Sequence, residues 1–173
     1  MKVYIGIDPD VEKSGVGIVE IGEEPTDISI VMKSLALPQL IEFLREYANN
    51  CDLHGIVPQI IVEAGWKYTS NWHLTKGDSR AVCAAKGKQQ GRNQQLGMDI
   101  CAMLEYYDLP HKEVVPLRKV WKGLDRKITH AELDDLVRRV NGEGIGKNRS
   151  NQEERDALLL AWTHSGAENY LTF

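Results

Sequence analysis

Lys2-Val-Tyr-Ile-Gly-Ile-Asp8-Pro9, followed by Gly15-Val-Gly-Ile-Val-Glu-Ile21, is the stretch whose reading decides the fold. Val3, Ile5 and Ile7 alternate with smaller or polar neighbours, the period of a strand with one apolar face. Pro9 to Ser14 supplies turn chemistry, so residues 15–21 read as a second strand and the hairpin partner of the first. A third strand fits 28–35, after the turn Glu23-Glu-Pro-Thr-Asp27. Leu37, Leu40, Ile41, Leu44 and Ala48 then recur at helical spacing, which predicts an amphipathic helix over 37–49. Gln59-Ile-Ile-Val-Glu63 is a short β-branched strand that stops at an acid.

Residues 65–85 show no period and read as a loop, and 88–107 reads as a helix with Leu96, Ile100, Met103, Leu104 and Tyr107 on one stripe. Glu113-Val-Val-Pro-Leu117 reads as a fifth strand. Thr129 with Glu132 forms a capping box that opens a helix carrying Leu133, Leu136, Val137 and Val140, stopped by the glycines between Asn141 and Lys147. Ser150 with Glu153 reads as a second box, opening a last helix that runs to about residue 164. Three leading strands pair as an antiparallel meander, and later strands joined by helices add in parallel through right-handed crossovers. The expected fold is α/β, a mixed five-stranded sheet with helices on both faces, in one domain spanning residues 1–173.

Composition bounds the function. Apolar residues make up 42% of the chain and charged residues 27%, enough to build a core. Three widely spaced cysteines, Cys51, Cys83 and Cys101, give no disulfide framework and point to a reducing, cytoplasmic setting. The N-terminal apolar run is too short for a signal peptide, and no stretch has the apolar length of a membrane span. The net charge of −4 disfavours a general polyanion binder, but the basic residues are bunched. Lys67, Lys76, Arg80, Lys86, Lys88 and Arg92 face one acid, Asp78; Lys112, Arg118, Lys119, Lys122, Arg126 and Lys127 face only Glu113 and Asp125.

Asp8 and Glu63 each end a core-like strand. If those strands are parallel neighbours, both carboxylates emerge at the sheet edge where open α/β sheets bind ligands. Asp156 lies on the last helix beside the apolar stripe Ala157, Leu160 and Ala161, with Glu153 one turn earlier on the same face. Gathered carboxylates repel one another and resist ionising together. Hard divalent cations reverse that, and two Mg²⁺ ions roughly 4 Å apart support phosphoryl displacement. Asp8 can also be read as a turn residue, Glu63 as a solvated strand end, and Glu153 as the cap of its helix as well as a ligand.

Gly6-Ile-Asp-Pro with Ser14-Gly15, Val62-Glu63 at a strand end, and Asp156-Ala-Leu with an acid three residues before it resemble the RuvC family of Holliday-junction resolvases. The resemblance spans nearly the whole chain. It implies a ribonuclease-H-like fold, a homodimer, Mg²⁺ or Mn²⁺ with two ions per site, and nicking of branched DNA at four-way junctions. The family's catalytic, metal-binding acids correspond to Asp8, Glu63, Glu153 and Asp156. Its base-stacking aromatic corresponds to Trp66, although Trp66, Tyr68 and Trp72 also suit packing beneath their own loop. Its phosphate-contacting region corresponds to Arg118–Lys127, with Lys119, Lys122 and Lys127 as DNA-binding candidates. The chain departs from the family with Asp10 where Gly is usual, Ser14 where Thr is usual, and the longer Glu153 where Asp or His is common.

Three other functions share parts of this pattern: a ribonuclease-H-like nuclease acting on RNA or single strands, a non-catalytic DNA-binding module of the same fold, and an actin-like nucleotide-binding protein. The last normally needs two such domains. Cys51-Asp-Leu-His54 lacks a second ligand pair and reads as a buried Cys and a surface His. Gly142-Glu-Gly-Ile-Gly146 lacks the preceding strand of a dinucleotide loop. His73, His111, His130 and His164 are scattered, and spacing alone joins them to no catalytic triad.

Overall fold

A computed structural model describes residues 1–24, 26–68 and 77–167; Trp72, His73 and Lys76 lie outside the described residues. The strands are β1 (Lys2–Asp8), β2 (Ser14–Ile21), β3 (Ile28–Leu35), β4 (Gln59–Glu63) and β5 (His111–Val114). The helices are α1 (Leu37–Asp52), α2 (Arg80–Tyr106), α3 (His130–Asn141) and α4 (Gln152–Ser165). The sheet order is β3-β2-β1-β4-β5. β1–β2 and β2–β3 are antiparallel, while β1–β4 and β4–β5 are parallel. This is the ribonuclease-H-like mixed sheet that the sequence implies.

Strand alternation sorts side chains between two apolar clusters. Val3, Ile5, Ile7, Val16, Ile18, Ile60 and Val62 pack with Leu40 and Leu44 of α1 and Ile100 and Leu104 of α2. Tyr4, Val19, Ile21 and Ile61 pack on the opposite face with Leu133 and Val137 of α3 and Leu158 to Trp162 of α4. Every residue of α4 from Ala157 to Trp162 is buried, as expected of a stretch of helix that is apolar all round.

α4 lies unusually close to the sheet. A Cβ on Gly6 would stand 2.1 Å from the Ala157 carbonyl oxygen, one on Gly15 1.9 Å from that of Glu153, and one on Gly17 2.2 Å from the Leu158 Cα. These glycines, on the face of β1 and β2 opposite the Val3–Ile5–Ile7 stripe, let helix backbone rest on strand backbone. That contact decides where the first turn of α4 falls relative to Asp8.

Several boundaries differ from the sequence reading, among them the end of α1, which runs to Asp52 rather than 49. α2 starts at Arg80 rather than near 88, capped by Ser79 Oγ accepting from the Val82 N–H, so the end of the supposed 65–85 loop is helical and its start holds a short turn at Gly65–Lys67. Residues 80–95 contain no buried residue, so this half of the helix rests on the propensity of its Ala, Lys, Gln and Arg and leaves no apolar period to detect. β5 runs from His111 to Val114 instead of Glu113 to Leu117, ending before Pro116, which has no N–H for a ladder. The second capping box is formed by Asn151 and Glu154, one residue later than Ser150 and Glu153.

Most other expectations for this part of the chain agree with the structure. Thr129 and Glu132 form their box, and Gly142 ends α3 in the left-handed conformation. Cys51 is buried and His54 exposed. One expectation is not met: a long apolar stripe on α2 suggests a dimer contact, but Ile100 and Leu104 are fully buried within the chain and Leu96 packs beside them. Among the described residues, no helix is long and apolar enough to cross a membrane.

Gly6→Ala and Gly17→Ala should each lower stability in urea unfolding by at least about 1–3 kcal/mol, because the added methyl meets backbone that cannot rotate away. Gly91, in the exposed half of α2 with nothing within 4 Å of where a methyl would stand, supplies the control. Gly91→Ala should raise stability by about 0.5–1 kcal/mol. Equal effects at all three positions would contradict the close approach of helix to sheet.

Candidate active site

Asp8 is the residue after Ile7, and Glu63 the residue after Val62; Ile7 and Val62 are direct partners in the parallel β1–β4 ladder. The two acids therefore leave adjacent strand ends side by side. Strand alternation turns both toward the face covered by α4. There the first turns of α4 present Glu153 and Asp156 to the same cleft, of about 840 Å³, whose walls include all four acids. The charges of Glu63, Asp156 and Glu153 all act on Asp8.

The Asn151–Glu154 box bears directly on Glu153. Glu154 turns away from the cleft: its carboxylate accepts from the Asn151 N–H and pairs with Lys147 at 2.7 Å. Capping is thus done by the neighbour, and Glu153 lines the cleft instead.

Cations on the segment from Pro116 to Ile128 oppose the acids. Lys127 Nζ lies 3.6 Å from Asp156, whose other oxygen accepts from Gln152 Nε2 at 2.7 Å. Lys119 lines the cleft and acts on Glu63 and Asp156. Two consecutive residues of this segment, Asp125 at φ 54° and Arg126 at φ 59°, hold left-handed backbone that costs a non-glycine residue on the order of 1 kcal/mol or more. Both line the cleft beside Lys127, so the strain falls at the site. Lys122 sits elsewhere: its N–H donates to Glu132 at the start of α3, and it is not among the cleft residues.

Trp66 lines the cleft and also packs against the sheet cluster, its ring seated over Gly97 of α2, where a Cβ would stand 2.3 Å from Cζ3. The ring is partly anchored, with the remainder facing the cleft. Asp10 has a structural part that the sequence did not disclose. Its carboxylate accepts from Asn93 Nδ2 at 3.1 Å, while the Val11 N–H donates to Asn93 Oδ1, tying the β1–β2 turn to α2. Ser14, buried, accepts from the Asp10 N–H. Sequence reasoning missed Gln152, Asn93 and the polar α2 wall of Gln89, Gln90 and Gln94; the helical period that would reveal that wall is carried by no apolar residue.

Burial holds the Asp8 carboxyl well above the usual carboxylate range, with Glu63 and Asp156 adding repulsion. Burial followed by Asp156 pushes Glu63 up to about 7, against the pull of Lys119 and Lys127. Asp156 is raised by burial, partly offset by Lys127. Hard carboxylate oxygens short of positive charge are the donors that Mg²⁺ or Mn²⁺ take. Among the described residues no three of these acids have ligand atoms all within 4.8 Å of one another, so an ion would draw them inward.

No family model matches the chain, and no curated protein matches it. Among solved structures it is similar to Thermus thermophilus RuvC in complex with a Holliday junction substrate, at 13% identity over 95% of this chain and 93% of that one, with a TM-score of 0.48. It is also similar to a second structure of Thermus thermophilus RuvC, at 14% identity over 94% and 93%, with a TM-score of 0.47. At that identity the likeness speaks to neither residue roles nor substrate.

The raised carboxyls make stability depend on pH. With Glu63 at about 7 in the folded chain against 4.5 ordinarily, the folded state keeps a proton that the unfolded state releases in that interval. Stability is therefore greatest below the lower value and is lost as pH rises through the upper one, by roughly 3 kcal/mol at most from this group. Asp8 and Asp156 act in the same direction, and His164, lowered by burial, acts in the opposite one. In chelator, the melting temperature should fall between about pH 5 and pH 8, and Glu63→Gln should flatten that fall. Excess Mn²⁺ should restore stability at the upper pH. A chelated protein equally stable at both ends, or the same slope in Glu63→Gln, would refute the assignment.

Proposed function

We propose that this chain is a divalent-metal-dependent endonuclease, one domain of 173 residues, that hydrolyses DNA phosphodiesters at four-way junctions. The observation that carries the reading is the convergence of four carboxylates, from two adjacent parallel strand ends and one helix, in a single cleft with lysines on its wall. A solvated strand end or a helix cap explains one acid at a time; neither explains raised carboxyls that repel one another around Asp8.

In this reading Asp8, Glu63, Glu153 and Asp156 hold two Mg²⁺ or Mn²⁺ ions. When bound, such ions lower the pKa of a water and stabilise charge on the attacking and leaving oxygens of the phosphate. The chain's own residues do the rest. Lys127 and Gln152 fix the Asp156 carboxylate, so one acid is oriented before any ion arrives. Lys119 and Lys127 set positive charge beside the acids, where it can meet the phosphate backbone. Lys122, exposed in the segment before α3 with its backbone N–H donating to Glu132, extends the basic surface outside the cleft.

Junction preference rests on Trp66 and on the motif resemblance. The exposed part of its ring faces the cleft, where it can stack on a base already free of its partner, at about 1–3 kcal/mol per base. A crossover offers such bases at little cost, whereas a duplex must be opened at a few kcal/mol. Symmetric nicking needs two clefts, so a homodimer belongs to this reading, with its interface outside the buried α2 stripe.

A competition assay with labelled four-way junction and linear duplex in one tube, at fixed salt and with Mg²⁺, tests the reading. Wild type should cut the junction in preference. Asp8→Asn should lose at least about a hundredfold in cleavage, the scale of losing one electrostatic stabiliser, while still binding DNA. Trp66→Leu, which keeps apolar bulk over Gly97, should narrow the junction-to-duplex ratio by about tenfold, within the stacking range. Wild-type cleavage of duplex or of an RNA–DNA hybrid as fast as of the junction would replace the resolvase reading with a broader nuclease. Near wild-type cleavage by Asp8→Asn would end both.

A further inference from the structure

The opposite face of the sheet carries a second set of ligand-type side chains. His111 and Glu113 alternate on β5 and pair with Ile60 and Val62, which belong to the cluster beneath α1 and α2, so both turn toward α2. Cys101 of α2, 5% exposed, faces them. Ligand atoms of the three residues all lie within 4.8 Å of one another. In a tetrahedral zinc site, bond lengths of 2.0–2.3 Å place neighbouring ligand atoms roughly 3.3–3.8 Å apart. Closing this set onto an ion therefore needs side-chain movements on the order of an ångström, with no change of backbone.

The surroundings suit a bound cation. The Leu109 carbonyl lies 3.4 Å from His111 Nδ1, the kind of partner that fixes a ligating imidazole and leaves Nε2 to bind. Lys67 pairs with Glu113 at 3.1 Å and also donates to its backbone carbonyl; it positions the carboxylate, whose other oxygen is the one left for a cation. Glu105 follows Cys101 by one helical turn and acts on its thiol. Glu105 and His111 also line one shallow surface recess, which brings solvent to the His111 side of the cluster. With no cation present, burial and the two glutamates push the Cys101 thiol up to about 12.

We propose that Cys101, His111 and Glu113 bind a Zn²⁺ ion, with Glu105 or a water as fourth ligand. A thiolate and an imidazole select zinc over the hard cations suited to the carboxylate cleft. The Cys101 proton leaves to solvent as the sulfur–zinc bond forms. The ion clamps the edge strand β5 to α2, directly before the segment that carries Lys119 and Lys127 into the cleft. This site stands whether or not the chain is a nuclease.

Cobalt reports on it separately from the cleft, because only sulfur ligation gives a thiolate-to-cobalt charge-transfer band. Full-length protein, stripped with chelator and held in excess Mg²⁺, is titrated with Co²⁺. Wild type should develop that band with saturation at one equivalent, and one equivalent of Zn²⁺ should bleach it. Cys51→Ser and Cys83→Ser should keep the band, and Cys101→Ser should lose it. His111→Gln retains the sulfur and should bind Co²⁺ at least tenfold more weakly, which decides the matter even if Cys101→Ser fails to fold by circular dichroism. Absence of the band in wild type, its survival in folded Cys101→Ser, or unchanged affinity in His111→Gln would overturn the proposal.

Discussion

The contact on which the structure depends is backbone against backbone. At Gly6, Gly15 and Gly17 the strands carry no side chain, and the first turns of α4 occupy the space a methyl would need. Dispersion attraction needs atoms in close contact, and the apolar run from Ala157 to Trp162 of α4 buries all its sides only by lying against the sheet. The same contact sets the distance between a sheet edge that ends in Asp8 and Glu63 and a helix that begins with Glu153 and Asp156. A larger residue at any of the three positions would lift the helix and open the cleft. The glycines thus belong to the chemistry of the site although none of them carries a functional group.

Such a site opposes its own folding. Carboxylates drawn together in a partly buried cleft lose hydration and repel, and Lys119 and Lys127 offset only part of this. Left-handed backbone at Asp125 and Arg126 adds strain in the segment that delivers Lys127. Strain and repulsion at one place, supported by a well-packed core on both faces, are the pattern expected when a ligand supplies the missing stabilisation. The two sides of the sheet divide the chemistry. Four carboxylates line one cleft on the α4 side. The one group of three Cys, His, Asp or Glu side chains with ligand atoms within 4.8 Å of one another among the described residues lies on the α2 side.

Much of this was legible in the sequence because period and punctuation are local signals. Alternation at Val3, Ile5 and Ile7 marked the first strand, and the acids ending β1 and β4 were visible as residues that stop apolar runs. What escaped detection was not locally encoded. Arg80 to Gly87 open a helix with no apolar face, so nothing in their pattern separates helix from loop. Asn151 and Ser150 are both good caps, and only packing against the sheet chooses Asn151; that choice by one residue releases Glu153 to the cleft. The tie between Asp10 and Asn93, and the meeting of Cys101 with His111 and Glu113, depend on which helix covers which strand. Trp66 packs one edge of its ring over Gly97 of α2 and also lines the cleft, a placement that depends on which helix covers the strand end.

The central claim is that the four-carboxylate cleft is a divalent-metal centre. Anomalous diffraction from crystals grown with Mn²⁺, recorded on both sides of the manganese absorption edge, tests it without reference to activity or substrate. Two manganese peaks are expected in the cleft, about 4 Å apart, with carboxylate oxygens of Asp8, Glu63 and Asp156 at about 2.0–2.2 Å from them. A fully ordered cleft with no manganese in it, its acids paired only with Lys119 and Lys127, would contradict the claim.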